Sequence, residues 1–268
     1  MQKNINFNFK MNSTPTERIA FLESVGFNGV FLYTQYSPID YIEEISKSKL
    51  NIETLHLPYK EIANGTVIDS KFVNSLWFNN DRSNQFTKWL IEEVRFAQKY
   101  GIKKVVAHIT GGENPPDWNQ YGLDNISRIL EECEKCGIDF CIENTRRIDY
   151  IQYVLENIKS DKLKFCFDSG HANALTKNLE DFPWQSFSNK LSCLHLHDNN
   201  GLKDEHLPPF FGNIDWKSLI NKLFAFNPNL ELTLEVRAND EQRATLTDFE
   251  YLQLCFQSVS KLETILDI

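Results

Sequence analysis

Leu163-Lys-Phe-Cys-Phe-Asp-Ser-Gly-His171 is a short apolar run bounded by turn signals, the pattern of a buried parallel strand. Where the strand ends, the chain sets Asp168 and His171, a carboxylate and an imidazole separated by Ser169 and Gly170. Strand alternation sends Cys166 and Asp168 to one side and Phe165 and Phe167 to the other. With helices over the phenylalanines, the first side becomes the interior of a barrel. Outward from this stretch the arrangement recurs, a histidine or acidic residue closing one short apolar strand after another.

Strands are expected at Asn4–Phe9, Gly29–Tyr33, Asn51–His56, Lys104–His108, Asp139–Glu143, Lys164–Asp168, Ser192–His197 and Glu231–Val236. Between them the spacing predicts helices from Pro15 to Val25, from Ser37-Pro-Ile-Asp to about Lys49, and over Asn84–Tyr100 and Leu123–Cys136. Further helices are predicted at Arg147–Ile158, Asn178–Phe187 (a poorer one, interrupted by Pro183), Asp215–Phe224 and Thr247–Leu266. Gly26, Gly101 and Gly137 close three of them. Regular alternation over 268 residues fits one (β/α)8 barrel domain spanning 1–268, a fold of about 250 residues. A doubly wound open sheet is the alternative, and the chain lacks the Gly-rich turn after strand one that would support it.

The net charge of −9 argues against a global grip on nucleic acid or acidic membrane without excluding a local basic patch. No apolar run approaches the ~20 residues of a membrane span and the amino terminus has no signal pattern, so a cytoplasmic protein with reduced thiols is expected. Cys133 and Cys136 form a lone C-x-x-C on a helix, a weak metal or redox signal.

All six histidines, His56, His108, His171, His195, His197 and His206, fall at or just beyond strand ends, which in a barrel converge on the catalytic mouth. Glu143, Asp168 and Glu235 would bring three negative charges there, at several kcal/mol each if uncompensated. Either a divalent metal neutralises them or arginines do, with Arg146, Arg147 and Arg237 as candidates. Imidazole beside carboxylate suits manganese, zinc, iron or magnesium. His195 and His197 share strand phase, so alternation alone does not choose between them.

Glu143-Asn-Thr, Asp168-Ser-Gly-His171, His195-Leu-His-Asp198, Asp204-Glu-His206-Leu-Pro-Pro-Phe-Phe-Gly212-Asn-Ile-Asp-Trp216 and Leu234-Glu235 together resemble the xylose-isomerase-like barrels. That superfamily holds sugar isomerases and epimerases, related dehydratases and the endonuclease IV apurinic nucleases. The resemblance implies a metal centre of Glu143, Asp168, His195 and Glu235, with the two glutamates also exchanging protons with substrate. It implies substrate contacts from His171 and Arg237. In the nuclease branch it implies a second metal at His56, His108 and Glu143 and a third at His171, Asp204 and His206. One ion is therefore expected, with ligand types for up to three. His108-Ile-Thr-Gly111, Arg146-Arg147 and Asp168-Ser-Gly-His171 depart from the nuclease pattern.

The stretch Leu57–Arg82 sets Lys60, Lys71 and Arg82 against Glu61, Asp69 and Asp81, a poor surface for bending DNA. Trp77, Phe78, Trp118 and Tyr121 either wall a small substrate cavity or form the loops' own core. Arg146 and Arg147 either grip an anion or start a solvated helix. The expectation is a metal-dependent isomerase or epimerase of a sugar or sugar-like polyol ketone, working by glutamate-mediated proton transfer through a metal-bound enediolate. Metal-assisted hydrolysis of phosphodiesters at abasic DNA sites is the alternative; the oligomeric state stays open.

Overall fold

The computed structural model describes residues 1–9, 12–34, 39–59, 61–63, 66–176, 179 and 181–266. Its strands are β1 (Lys3–Asn6), β2 (Gly29–Tyr33), β3 (Asn51–His56), β4 (Glu61–Ala63), β5 (Thr66–Ile68), β6 (Lys104–Ala107), β7 (Asp139–Glu143), β8 (Leu163–Asp168), β9 (Leu191–His195) and β10 (Leu232–Leu234). Eight of them make one sheet in the order β10-β1-β2-β3-β6-β7-β8-β9, while β4 and β5 form a separate antiparallel hairpin. Leu196, just past β9, bridges Leu234 of β10 in parallel and joins the ends of that order. This is the topology of the (β/α)8 TIM barrel expected from the alternation.

The helices are α1 (Pro15–Val25), α2 (Ile39–Ser46), α3 (Ser70–Val73), α4 (Asp81–Lys99), α5 (Gln120–Cys136), α6 (Ile148–Asn157), α7 (Ser169–Leu175), α8 (Trp184–Phe187), α9 (Trp216–Phe226), α10 (Asp240–Thr245) and α11 (Asp248–Leu266). None among the described residues is long and apolar enough to cross a membrane. By packing, the chain divides into two compact parts: residues 1–32, 37–53 and 167–268, and residues 33–36 and 54–166.

In the first part, α1 starts where its sequence says it should. Thr14 and Glu17 cap each other's backbone, Pro15 takes the first turn, and Gly26 ends the helix at φ 112°, a left-handed position that favours glycine. Arg18 on this helix is buried, its guanidinium 5.0 Å from the ring centres of both Phe7 and Phe9. It donates to the Phe7 and Ser13 carbonyls at 2.9 and 3.0 Å and so fastens the chain that leaves β1. Here β1 ends at Asn6 rather than Phe9 and β10 stops at Leu234 rather than Val236. The Asn6 amide explains both, accepting from Val236 N–H at 2.8 Å and donating to Val236 O at 3.0 Å in place of a backbone partner.

Two helices also differ from expectation. The turn after β8 is absent: α7 begins at Ser169, with Asp168 as its cap accepting from His171 N–H at 2.6 Å. The helix expected at Asn178–Phe187 is only Trp184–Phe187, because Pro183 stands at its cap; Lys177, Asn178 and Glu180 lie outside the described residues, as do Ser37 and Pro38 before α2.

In the second part, β6 and β7 pair in parallel from Lys104↔Asp139 to Ala107↔Ile142, and β7 and β8 from Phe140↔Leu163 to Glu143↔Cys166. Against them, α4 and α5 hold a buried Trp77, whose indole N–H donates to the Ile109 carbonyl at 2.7 Å. Gly122 lies against its ring, where an added Cβ would come within 2.0 Å of Cε3. Asn74 closes a reciprocal pair with Gly111, giving to its carbonyl and taking from its N–H, each at 2.8 Å. Trp77 therefore belongs to the loops' own core and not to a substrate wall. Phe78, Trp118 and Tyr121 remain largely exposed, with Trp118 stacked on Tyr153 at 5.4 Å.

Candidate metal centre

Each histidine and carboxylate of interest is carried at the carboxyl end of its own strand or on the segment beyond, His171 in the first turn of α7. In the part formed by residues 33–36 and 54–166, β3 delivers His56, the residue after β6 is His108, and β7 ends in Glu143. His56 and His108 turn their Nε2 atoms toward Glu143 Oε2, at 3.0 and 3.2 Å, and the three can offer ligand atoms within 4.8 Å of one another. Tyr59, which the sequence did not single out, lies over both imidazoles with ring centres 4.8 and 4.5 Å away. A lone tyrosine in an irregular loop carries no spacing signal.

The arginine alternative loses ground here. Arg147 makes a two-toothed pair with Asp149 at 2.9 and 2.7 Å, which raises its pKa further, and Arg146 stands 3.8 Å from Glu113. Both answer exposed or half-buried acids, Arg147 one in the first turn of α6 and Arg146 one on the loop after β6. Lys60 lies outside the described residues. The Cys133 thiol of α5 is pushed far up by burial, a structural and unreactive setting.

In the other part, Asp168 ends β8, His195 ends β9, and Glu235 follows β10; all three are buried and bring ligand atoms within 4.8 Å of one another. His195 Nδ1 stands 3.1 Å from Glu235 Oε2, and its ring stacks on Phe31 at 4.5 Å. Beside this group lie His171, His197, Asp204 and His206. Asp204 Oδ2 is 3.1 Å from His206 Nε2 and 3.5 Å from His171 Nε2. Burial would push the Asp204 carboxyl up, yet hydrogen bonds and charge from His171 and His206 hold it well below the usual carboxylate range. His197 goes the other way. Burial opposes its charged form, but the Asp168 carboxylate and, less strongly, Asp204 and Glu235 raise its pKa above the ordinary value. Arg237 gives its backbone N–H to the His206 carbonyl at 2.9 Å.

A neutral imidazole has one donor and one acceptor nitrogen. His56 gives Nδ1–H to the Leu57 carbonyl at 2.8 Å, which leaves Nε2 facing the Glu143 carboxylate. His206 repeats this, with Nδ1–H on the Glu235 carbonyl at 3.0 Å and Nε2 facing Asp204. In the neutral form each pair sets acceptor against acceptor, so a proton or a cation must stand between them. Metal-binding histidines are held in this way.

The loop carrying Asp204 and His206 is organised by Asp198. Its buried carboxylate accepts from Asn199, Phe210 and Ile214 N–H at 2.9, 3.0 and 3.2 Å and from the Trp216 indole at 2.7 Å. Its backbone pairs with Leu207 in both directions, at 2.7 and 2.9 Å. Within this frame His206 and Phe210 take left-handed backbone angles, φ 54° and 72°, a strained position for residues with side chains. Asp198→Asn puts an amide where two donors point, and is expected to destabilise the loop by about 1–3 kcal/mol. Faster amide hydrogen exchange at Phe210 and Ile214 would show it; exchange unchanged from wild type would remove Asp198 from this role.

Residues 19–255 match the model of the xylose isomerase-like TIM barrel family. An uncharacterised protein of Methanocaldococcus jannaschii is 28% identical over 204 residues, 69% of each chain. A D-tagatose 3-epimerase-like protein superposes with a TM-score of 0.73 at 20% identity over 100% of this chain and 97% of the other. The IOLI protein with a bound zinc atom gives 0.70 at 15% identity over 98% and 96%. From Asp168 to Glu235, the strand-end residues that carried the resemblance sit inside the matched span, and the chain belongs to the xylose isomerase-like TIM barrel family.

Proposed function

We propose that the protein is a divalent-metal-dependent isomerase or epimerase of a sugar or sugar-like polyol ketone. Asp168, His195, Glu235 and Glu143 would hold the ion, and Glu143 and Glu235 would move the proton. The observation that carries this reading is the buried group of Asp168, His195 and Glu235, two carboxylates and one imidazole with ligand atoms within 4.8 Å. Such a donor set suits a borderline or hard divalent ion, with no thiolate to select zinc. Neighbouring donors around an ion with bonds of about 2.1 Å stand roughly 3.0–3.4 Å apart, and the His195–Glu235 separation of 3.1 Å fits that spacing. Glu143 joins the set as the resemblance implies, a buried carboxylate at the end of β7.

When bound, the ion would polarise a substrate carbonyl and its neighbouring hydroxyl, acidifying the C–H between them. Glu235 and Glu143 then act as base and acid at that carbon, from opposite faces where the reaction epimerises. His171 and Arg237 are the proposed substrate contacts, and His108 would position a hydroxyl. Sugar epimerases among the similar structures support this substrate class.

A second reading, hydrolysis at abasic sites, draws support from the His56–His108–Glu143 group and from Asp204 between His171 and His206. Protein stripped with chelator and then given manganese, at about 100 times the dissociation constant, should gain about 2.7 kcal/mol of stability. Elemental analysis should find about one ion per chain, and a ketose panel in heavy water should show deuterium entering at carbon. No gain in melting temperature with any divalent ion, or several zinc ions with cleavage of an abasic duplex, would overturn the isomerase reading.

A further inference from the structure

We propose that His197 is a positioning residue: seated in the space that Gly170 leaves, its imidazole holds the Asp168 carboxylate in the orientation that binds the ion, without being a ligand. This rests on the metal-dependent reading above and deepens it.

His197 Nε2 stands 3.1 Å from both oxygens of Asp168, so this nitrogen donates to the carboxylate. Oδ1 also accepts the His171 backbone N–H at 2.6 Å, which fixes the carboxylate plane from the helix side. The residue is itself held on several sides. Ser169 Oγ accepts the His197 backbone N–H at 2.9 Å and donates to the His197 backbone carbonyl at 2.7 Å. One face of the ring lies on His206, with centroids 4.1 Å apart and planes 20° from parallel, while His171 meets it edge-on at 6.1 Å. At Gly170 an added Cβ would fall 1.8 Å from His197 Cε1, so the imidazole occupies the volume any other residue would need. Ser169 and Gly170 thus form the cradle of the histidine two residues past the β9 end, and the two motifs interlock.

The rival assignment makes His197 a ligand, since His197, His206 and Glu235 can also present ligand atoms within 4.8 Å. Imidazoles bind ions through lone pairs in the ring plane. Near-parallel stacked rings send those lone pairs side by side rather than toward one point. The nitrogen of His197 nearest the acidic groups is already a donor to Asp168. Partners that orient a ligating carboxylate in this way typically change metal affinity about 10–100-fold when removed.

The test is calorimetric titration of manganese into metal-free protein, with circular dichroism melts to show each variant is folded. His197→Leu should bind the wild-type number of ions with affinity lowered about 10–100-fold. His197→Gln, whose amide can place a donor near the Nε2 position, should recover much of that loss, which a purely packing role would not allow. Gly170→Ala expels the ring while leaving Asp168, His195 and Glu235 in the sequence, and should fall with His197→Leu. Wild-type affinity in His197→Leu would overturn the inference, as would loss of one ion from the stoichiometry. If wild-type protein binds no divalent ion, the functional reading itself fails. Should His197→Leu not fold, the contrast of His197→Gln with Gly170→Ala decides, and equal wild-type affinity in both overturns the proposal.

Discussion

Glu235→Gln is expected to lower turnover about 10²–10⁴-fold, the share that a positioned acid or base contributes. The side chain is buried beside His195, while its backbone carbonyl anchors His206, so the local frame does not depend on the carboxylate charge. Glutamine keeps the volume and an oxygen, but removes the capacity to accept and return a proton together with the negative charge that would help hold the ion. In a two-base scheme the loss has a signature: one epimer should still exchange its reacting hydrogen with heavy water, without inverting. Glu143→Gln should show the mirror pattern with the other epimer. Bound metal has to be measured in parallel, because a variant that also sheds its ion would lose exchange in both epimers. Turnover equal to wild type in Glu235→Gln, with the ion still bound, would remove this glutamate from the chemistry.

The largest stability effect should come from Trp77→Ala, about 3–5 kcal/mol, as for other buried aromatic truncations. Trp77 is 0% exposed, meets Tyr150 edge-on at 4.9 Å and ends the Ile109 carbonyl's search for a donor. Removing it opens a cavity beneath Gly122 and strands the Ile109 carbonyl. Gly122→Ala attacks the same contact by overpacking, at about 1–3 kcal/mol. Urea unfolding midpoints would check both. A Trp77→Ala midpoint close to wild type would mean the tryptophan is a surface residue after all, restoring it as a candidate substrate wall.

The parts of the fold that were legible are those set by local pattern. Asp139–Glu143 is a strand from end to end as expected, and Pro15 and Gly26 bracket α1, because alternation and caps act within a few residues. The histidines and acids were legible for a similar reason: a polar residue closing an apolar strand has few places to go. Part of what was missed depends on partners far away in sequence, and part on short mixed segments with no period. The Asn6 amide cuts β1 and β10 short through contacts 230 residues apart. The hairpin of β4 and β5 and the short α3, capped by Asp69, fill a stretch whose mixed polarity has no single period. Asn239 and Gln242 form a reciprocal cap that starts α10, a signal present in the sequence but outweighed by the short polar segment it opens. Whether Trp77 faced substrate or core could not be read without knowing that Gly122 would pack on it.

The left-handed backbone at His206 has an evolutionary consequence. A strained non-glycine residue of this kind is held at a penalty of order 1–3 kcal/mol, and glycine or asparagine at the position would relieve part of it. Selection for heat resistance alone would therefore discard this imidazole early, and only a use for the imidazole would keep restoring it. Barrels of this kind with no use for an imidazole here should carry a small or amide side chain at that one place in the loop.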